Sequence, residues 1–454
     1  MKDGKPYVST TNACKLCKPL GAAIAFRGIE GCVPFLHGSQ GCATYMRRYV
    51  ISHFREPVDI ASSSLGEKHA VYGGGPNLKK GLLNVMQKYG AQIIGVATTC
   101  LTETIGDDVG QILREFRAEF GAELDLPELV HVSTPSYEGT HMEGFHAAVR
   151  AVVEQLAETS DAPKDGPVAC MPGFVSAEDL RGLKALFAAF DLPLMLLPDY
   201  SESLDGTAAA DYEKLPPGGT PVAAIKALGS AQACIEFTRC QKDSLLAGSV
   251  LRDKHAVPLQ RMGLPVGLRA TDEFVQTLER ISGRPAPEAL VKERGRLVDA
   301  MVDAHKYVSG LKAVVYGEED LAVGLTSFLA EVGIQPVLVA TGGEPARFEE
   351  EIAAVTNGLV PMPVARKGVD FYEIVAQAEE LAPDLVVGNS KGYRVLAREL
   401  NIPLVRVGFP IHDRFGAQRV RHLGYAGAQE LFDRIVNAVL EKRQEESPVG
   451  FMYI

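Results

Sequence analysis

Five of the eight cysteines in this 454-residue chain fall within its first hundred residues: Cys14, Cys17, Cys32, Cys42 and Cys100. Two of them follow apolar runs of strand character. Val33-Pro34-Phe35-Leu36 precedes His37-Gly38-Ser39-Gln40-Gly41-Cys42, and Ile93-Ile94-Gly95-Val96-Ala97 precedes Thr98-Thr99-Cys100. Thiols at the ends of buried strands, set among Gly, Ser and Thr, can converge on one metal centre. Cys14-Lys15-Leu16-Cys17 alone has a spacing shared by zinc sites and redox pairs. A zinc ribbon wants a second C-x-x-C, which the sequence lacks. A thioredoxin-like pair wants a strand-to-helix junction, whereas this one precedes Pro19 in a polar segment. The chemistry left is an iron–sulfur site made from widely spaced thiolates, which needs no regular spacing. The competing reading is buried packing, since free cysteine is a common small core residue. Cys170, Cys234 and Cys240 are scattered and are read that way. His37 is read as holding the turn after it rather than as a ligand.

Two other motifs compete. Gly388-Asn389-Ser390-Lys391-Gly392 matches G-x-S-x-G in a strand–turn–helix setting, with His412, Asp413 and His422 downstream, which raises a hydrolase built on Ser390. Glycines around a strand-to-helix turn recur in α/β sheets for steric reasons, so the structural reading is preferred. Gly73 to Gly81 suggests a phosphate loop but lacks the G-x-x-x-x-G-K-[ST] spacing, and no G-x-G-x-x-G is present. A flexible surface loop is expected there, and no nucleotide site.

Positioning elements follow from apolar periodicity. Strands are expected around 33–36, 93–97, 130–133, 168–170, 194–198 and 233–236. Four more end in small or polar turns at Gly317, Gly342, Asn389 and Gly408. Helices are expected over 19–30, 77–89, 107–120, 141–156, 177–190, 271–308 with a break at Gly283-Arg284-Pro285, and 429–443. Strands alternating with such helices imply parallel sheets covered on both faces. The expected fold is α/β, with three Rossmann-like doubly wound domains over 1–165, 166–310 and 311–454. Ligands in such sheets sit at strand carboxyl ends, where Cys42 and Cys100 fall.

Composition narrows the class. Apolar residues make up 46% and charged residues 23%, ordinary for a chain that buries a large core. A net charge of −11 argues against sequence-independent nucleic-acid binding. The polar start has no apolar core of the signal-peptide kind, and no apolar run approaches a membrane span. Too few cysteines for a disulfide framework suit a reducing compartment, so a cytoplasmic protein is expected.

Asn12 to Gly21, His37 to Cys42, His53-Phe54-Arg55-Glu56-Pro57, Thr98 to Asp108 and Gly408-Phe409-Pro410-Ile411-His412-Asp413-Arg414-Phe415-Gly416 resemble the β-type subunit of nitrogenase component 1 and its relatives. The match runs over nearly the whole chain. Within that family the short N-terminus, Gly28 to Pro34 and the ending Ser447-Pro448-Val449-Gly450 resemble the NifN branch, the iron–molybdenum cofactor biosynthesis proteins. The resemblance implies an α2β2 heterotetramer with a homologous α-type subunit and an iron–sulfur cluster shared at the interface, either [4Fe-4S] or a [8Fe-7S] P-cluster type. Cys17, Cys42 and Cys100 match the family's three β-side cysteine positions. Ser136 matches a serine that can add a ligand to the larger cluster. Cys14 and Cys32 have no counterpart in that set. A cubane takes four protein ligands, so three cysteines leave the partner to complete the cluster. No complete active site is expected in this chain alone, the large cofactor being expected in the partner. Electrons would come from a reductase iron protein, an ATP-dependent donor. The expected role is a scaffold for cofactor assembly. The alternative is the β-type subunit of a catalytic nitrogenase-like reductase, such as a methylthio-alkane reductase.

Overall fold

In the computed structural model, residues 14–160, 163–208, 211 and 213–450 are described. Asn12, the polar start and part of the Ser160–Gly166 stretch lie outside the described residues.

Apolar runs bounded by Gly, Pro and polar turns form strands, and every strand pairing is parallel. The first sheet contains β1 (Cys32–His37), β2 (Ala61–Ser62), β3 (Ile93–Thr98) and β4 (Glu128–Val132), in the order β2-β1-β3-β4. The second contains β5 (Val168–Met171), β6 (Leu194–Leu196), β7 (Cys234–Phe237) and β8 (Leu259–Met262), in the order β6-β5-β7-β8. The third contains β9 (Lys312–Tyr316), β10 (Gln335–Ala340), β11 (Val364–Arg366), β12 (Leu385–Gly388) and β13 (Leu404–Arg406), in the order β11-β10-β9-β12-β13. The central strands β1, β3, β5, β7 and β12 are buried at every position, as sheets with both faces covered require. Three parallel sheets with interleaved helices make the α/β architecture that the alternation implies.

The differences from expectation lie at edges and breaks. β2, β8 and β11 carry no continuous apolar run because each is an edge strand with exposed or half-exposed positions. The third sheet therefore has five strands rather than four. The helix expected over 107–120 is present as Val109–Phe120, but a further short helix, Cys100–Ile105, precedes it, ending where Gly106 takes φ +78°. The break expected at Gly283-Arg284-Pro285 is present, dividing the 271–308 stretch into Leu268–Ser282 and Glu288–Val308, with Gly283 as a left-handed cap.

One contact fixes how the N-terminal helix α1 (Lys18–Arg27) meets the helix His141–Leu156. A Cβ on Gly21 would lie 1.6 Å from the carbonyl oxygen of His141, and one on Gly144 would lie 1.8 Å from that of Lys18. Both crossing positions must be glycine for the backbones to approach this closely. The His141 amide also donates to the carbonyl of Leu16 at 3.0 Å. The other face of α1 lies on β3, where a Cβ on Gly95 would strike the Phe26 ring. Next along the chain, the Gly28 carbonyl accepts amide hydrogen bonds from Asp199 and Thr220, tying the first sheet to the second. Rings from all three sheet regions meet in one core: Phe54, Phe145, Phe174, Tyr200 and Phe409.

Gly21→Ala is expected to cost about 1–3 kcal/mol through overpacking, seen as a lower thermal midpoint. Gly295→Ala, in the exposed interior of Glu288–Val308 with nothing within 4 Å of the added methyl, is expected to stabilise by up to about 1 kcal/mol.

Candidate metal centre

β1 and β3 are neighbours with His37 opposite Thr98 in register, so the segments leaving their carboxyl ends start side by side. After β1 comes the turn Gly38-Ser39 and then α2 (Gln40–Phe54), with Ser39 as N-cap and Cys42 in the first turn. Gly38 has no room for a side chain, since a Cβ there would overlap Thr99. After β3, Thr99 caps the helix Cys100–Ile105 through a reciprocal pair with Thr102, and Cys100 is its first residue. Cys17 is the N-cap of α1. All three thiols thus stand at helix N-termini, where free N–H groups and the helix dipole favour a thiolate.

The structure brings together the four residues expected there. Ser136 hydrogen-bonds the Cys17 thiol through its side chain, and Cys17 lies within electrostatic reach of both Cys100 and Cys42. The Ser136 amide donates to Cys100 Sγ at 3.2 Å, and Ser39 Oγ donates to Cys42 Sγ at 3.5 Å. Burial raises the Cys17 thiol above its ordinary value against the Ser136 hydrogen bond, and the neighbouring Cys100 and Cys42 raise it further. A bound cationic centre reverses that balance. Cys17, Cys42 and Cys100 are half-exposed, whereas the other five cysteines are buried. Among the described residues no three Cys, His, Asp or Glu side chains are placed to hold a single metal ion. Separated thiols opening onto a surface suit a polynuclear sulfur-bridged group contacted from one side.

Cys14 and Cys32 do not join them. Burial pushes both thiols up to about 12. Cys14 packs into the core of the third sheet with Val314, Tyr316 and Leu338, and its carbonyl accepts from the Gly342 amide at 3.1 Å. Cys32 begins the fully buried β1.

His37 is fully buried behind the site. Its Nδ1 meets Ser63 Oγ at 2.9 Å and its Nε2 meets Asp107 Oδ2 at 3.0 Å, so both ring nitrogens are engaged in holding the turn. Asp107 also accepts from the Gly74 amide at 3.0 Å. The glycine stretch expected to be a flexible loop is therefore pinned at Gly74, which caps the helix Gly75–Tyr89.

The hydrolase alternative fails on geometry. Ser390 Oγ donates to the Pro410 carbonyl at 2.9 Å and accepts from the His412 amide at 3.1 Å. Asp413 is held by Arg406 through both oxygens, and His422 Nδ1 is bonded to Asp179 at 2.7 Å. No triad forms among Ser390, Asp413 and His422. The same turn carries a residue that motif reasoning passed over. Lys391 Nζ donates to the Lys15 carbonyl at 3.2 Å and stands within electrostatic reach of Cys17. Its signal was a lysine in the glycine turn at the carboxyl end of β12.

Exposed aromatic residues lie near the thiols, Tyr45 by Cys17 and Tyr137 by Cys100. Tyr45 lies one turn beyond Cys42 and Tyr137 follows Ser136; they are 47% and 63% exposed. Tyr72, 85% exposed, is on the helix His69–Tyr72, which packs against Cys100–Ile105. Exposed aromatic residues clustered around half-exposed thiols mark an interaction face. Among the described residues no helix is long and apolar enough to cross a membrane.

A three-sheet parallel α/β fold with cysteines gathered at strand carboxyl ends defines the class to which the comparisons point. A profile described as nitrogenase component 1 type oxidoreductase matches residues 17–440, and the chain belongs to that family. It is 37% identical over 437 residues to the nitrogenase molybdenum-iron protein beta chain of Clostridium pasteurianum, covering 96% of this chain and 94% of the relative. It is 35% identical over 454 residues to the beta chain from Methanococcus maripaludis, covering 97% and 96%. A solved chain of nitrogenase Cp1 at pH 6.5 superposes with a TM-score of 0.94 at 35% identity, covering all of this chain and 98% of that one. A chain of nitrogenase Cp1 at pH 5 shares the fold alone, with a TM-score of 0.70 at 14% identity over 98% of this chain and 92% of that one.

Brief alkylation of the metal-free chain under native conditions should modify Cys17, Cys42 and Cys100 and spare the other five, as read by peptide mass spectrometry. Early labelling of Cys14 or Cys32 would contradict the burial described.

Proposed function

We propose that this chain is the β-type subunit of a nitrogenase-like complex and holds its half of an iron–sulfur cluster shared with a homologous α-type subunit. The observation carrying the reading is that the three half-exposed thiols all sit at helix N-termini, with Ser136 hydrogen-bonded to two of them. When bound, such a cluster supplies one-electron transfer between donor and substrate site. Cys17, Cys42 and Cys100 would be its thiolate ligands, and Ser136 would add an oxygen beside Cys17. Ser39 and the Ser136 amide donate hydrogen bonds to sulfur, which stabilises the thiolate form and tunes the potential of a bound centre. The ring of Tyr45, Tyr72 and Tyr137 gives the partner an apolar surface and keeps water from the centre. Three protein thiolates fall short of the four a cubane takes, and the larger cluster to which Ser136 would add an oxygen takes more still, so the complex is an obligate hetero-oligomer, an α2β2 assembly supplied with electrons by a separate reductase iron protein. Eight free thiols suit a reducing cytoplasm.

Within that reading, electron relay in a catalytic reductase is favoured, because the complete set of Cys17, Cys42, Cys100 and Ser136 suits a larger, P-cluster-type centre. The second reading, a scaffold for cofactor assembly, draws on the Gly28 to Pro34 stretch. Gly28 there is engaged in joining the first and second sheets, a structural task compatible with either role.

Iron analysis and electron paramagnetic resonance on the complex purified with its partner test the proposal. Cys42→Ser and Cys100→Ser should each lose most of the cluster iron, while Cys14→Ser keeps it. A full stoichiometric cluster reconstituted on this chain as an isolated monomer would refute the shared site. Reduction of a substrate without cofactor donation supports the reductase role; transfer of a cofactor to an apo-protein supports the scaffold.

A further inference from the structure

Arg27, the last residue of α1, is only 5% exposed. Its Nε is buried without a hydrogen-bond partner, and among the described residues no ion pair reaches its guanidinium. It lines a cavity of about 660 Å³ between the first sheet and residues 202–207 and 213–217, away from the thiols. That volume falls in the range of small-molecule sites. Of the other charged wall residues, Arg47, Glu56, Asp59 and Glu202 are already matched, and Asp211, Glu213 and Lys214 are exposed. Asp59 accepts from Tyr89 Oη at 2.8 Å and pairs with Arg47 at 3.3 Å. Glu56 accepts from the Gly206 amide at 3.1 Å, and Glu202 meets Arg181 at 3.3 Å. Among the described residues the buried Arg27 guanidinium is thus left without an acceptor. Cys32 beside it is a neutral thiol, and burial lowers the Arg27 pKa despite the more distant Asp59 and Glu56. Leaving a buried charge uncompensated is strongly destabilising, and a guanidinium is shaped to take a carboxylate through two parallel hydrogen bonds.

We propose that this cavity binds a small organic monocarboxylate whose carboxylate pairs with Arg27. A single negative charge is specified because five carboxylates, Glu56, Asp59, Glu202, Asp211 and Glu213, line the same space against Arg27, Arg47 and the exposed Lys214, and repel a polyanion. Nothing in the site calls for metal or covalent chemistry; it is a binding site, for a ligand that is either a regulator or a structural component of the complex.

The test uses the assembled complex with acetate as probe and acetamide as its uncharged counterpart. Ligand-observed NMR should show saturable acetate binding and none for acetamide, and acetate should slow phenylglyoxal modification of Arg27 as read by mass spectrometry. Arg27→Gln should weaken acetate binding at least about tenfold, the loss of a charge-assisted hydrogen bond. Equal binding of acetate and acetamide, unchanged acetate binding in Arg27→Gln, or no saturable acetate binding to the native complex would each overturn the proposal and leave a water-filled cavity. The acetate–acetamide comparison and the protection experiment need no variant, so a folding defect in Arg27→Gln leaves the proposal open to refutation.

Discussion

Where α1 crosses the helix His141–Leu156, Gly21 and Gly144 let two backbones meet with no side chain between them, and the geometry of the thiol face depends on that contact. Cys17 caps one of these helices, and Ser136 lies a few residues before the other. A crossing wider by one methyl group would move Cys17 away from Ser136 and out of line with Cys42 and Cys100, whose positions are set separately by β1 and β3. The Leu16–His141 backbone hydrogen bond fixes the remaining freedom along the helix axes. The site is therefore produced by backbone packing, and its polar side chains act within a frame that glycine makes possible.

Much of that frame was legible in the sequence, for identifiable reasons. Central strands such as β3 and β12 are apolar throughout because both faces are covered, so a run of Ile, Val and Leu reveals them. Edge strands β2, β8 and β11 are partly exposed, and nothing in their composition separates them from loops. The helix Cys100–Ile105 was missed because six residues with three threonine or glutamate side chains show no apolar period; its cap, Thr99 with Thr102, was the available signal. Cys14 was harder. Its spacing from Cys17 suggests a shared site, yet the chain turns between them so that Cys14 enters the third sheet's core while Cys17 faces outward. Spacing along the chain carries no information about which side of a turn a thiol takes. The Ser390 motif misleads for a related reason: a glycine-bounded turn after a strand satisfies sterics first, and here its hydroxyl is used up on the Pro410 and His412 backbone.

The three sheets are joined by a few buried polar contacts in addition to the aromatic core. His141 meets Glu318 at 3.3 Å, linking the helix behind the thiol face to the start of Glu319–Glu331. Asp179 accepts the His422 side chain and the amides of His422 and Leu423, linking the second sheet region to the last helix. Burial alone would raise the Asp179 carboxyl, but these donors bring it below its ordinary value. Such contacts are demanding in geometry and tolerate little sliding. They make the three sheets behave as one frame, which a thiol face drawn from distant segments requires.

As the proposed ligand set, that thiol face has a consequence for the order of events in the life of the protein. Cys17, Cys42, Cys100 and Ser136 come from four segments, and each is placed by a strand end, a helix cap or a glycine crossing that owes nothing to metal. A zinc finger gathers its ligands only as metal arrives, and folds then. On the proposed reading the polypeptide would finish first and present a half-built socket, and loading would be a late step of maturation that waits for the partner to close over it.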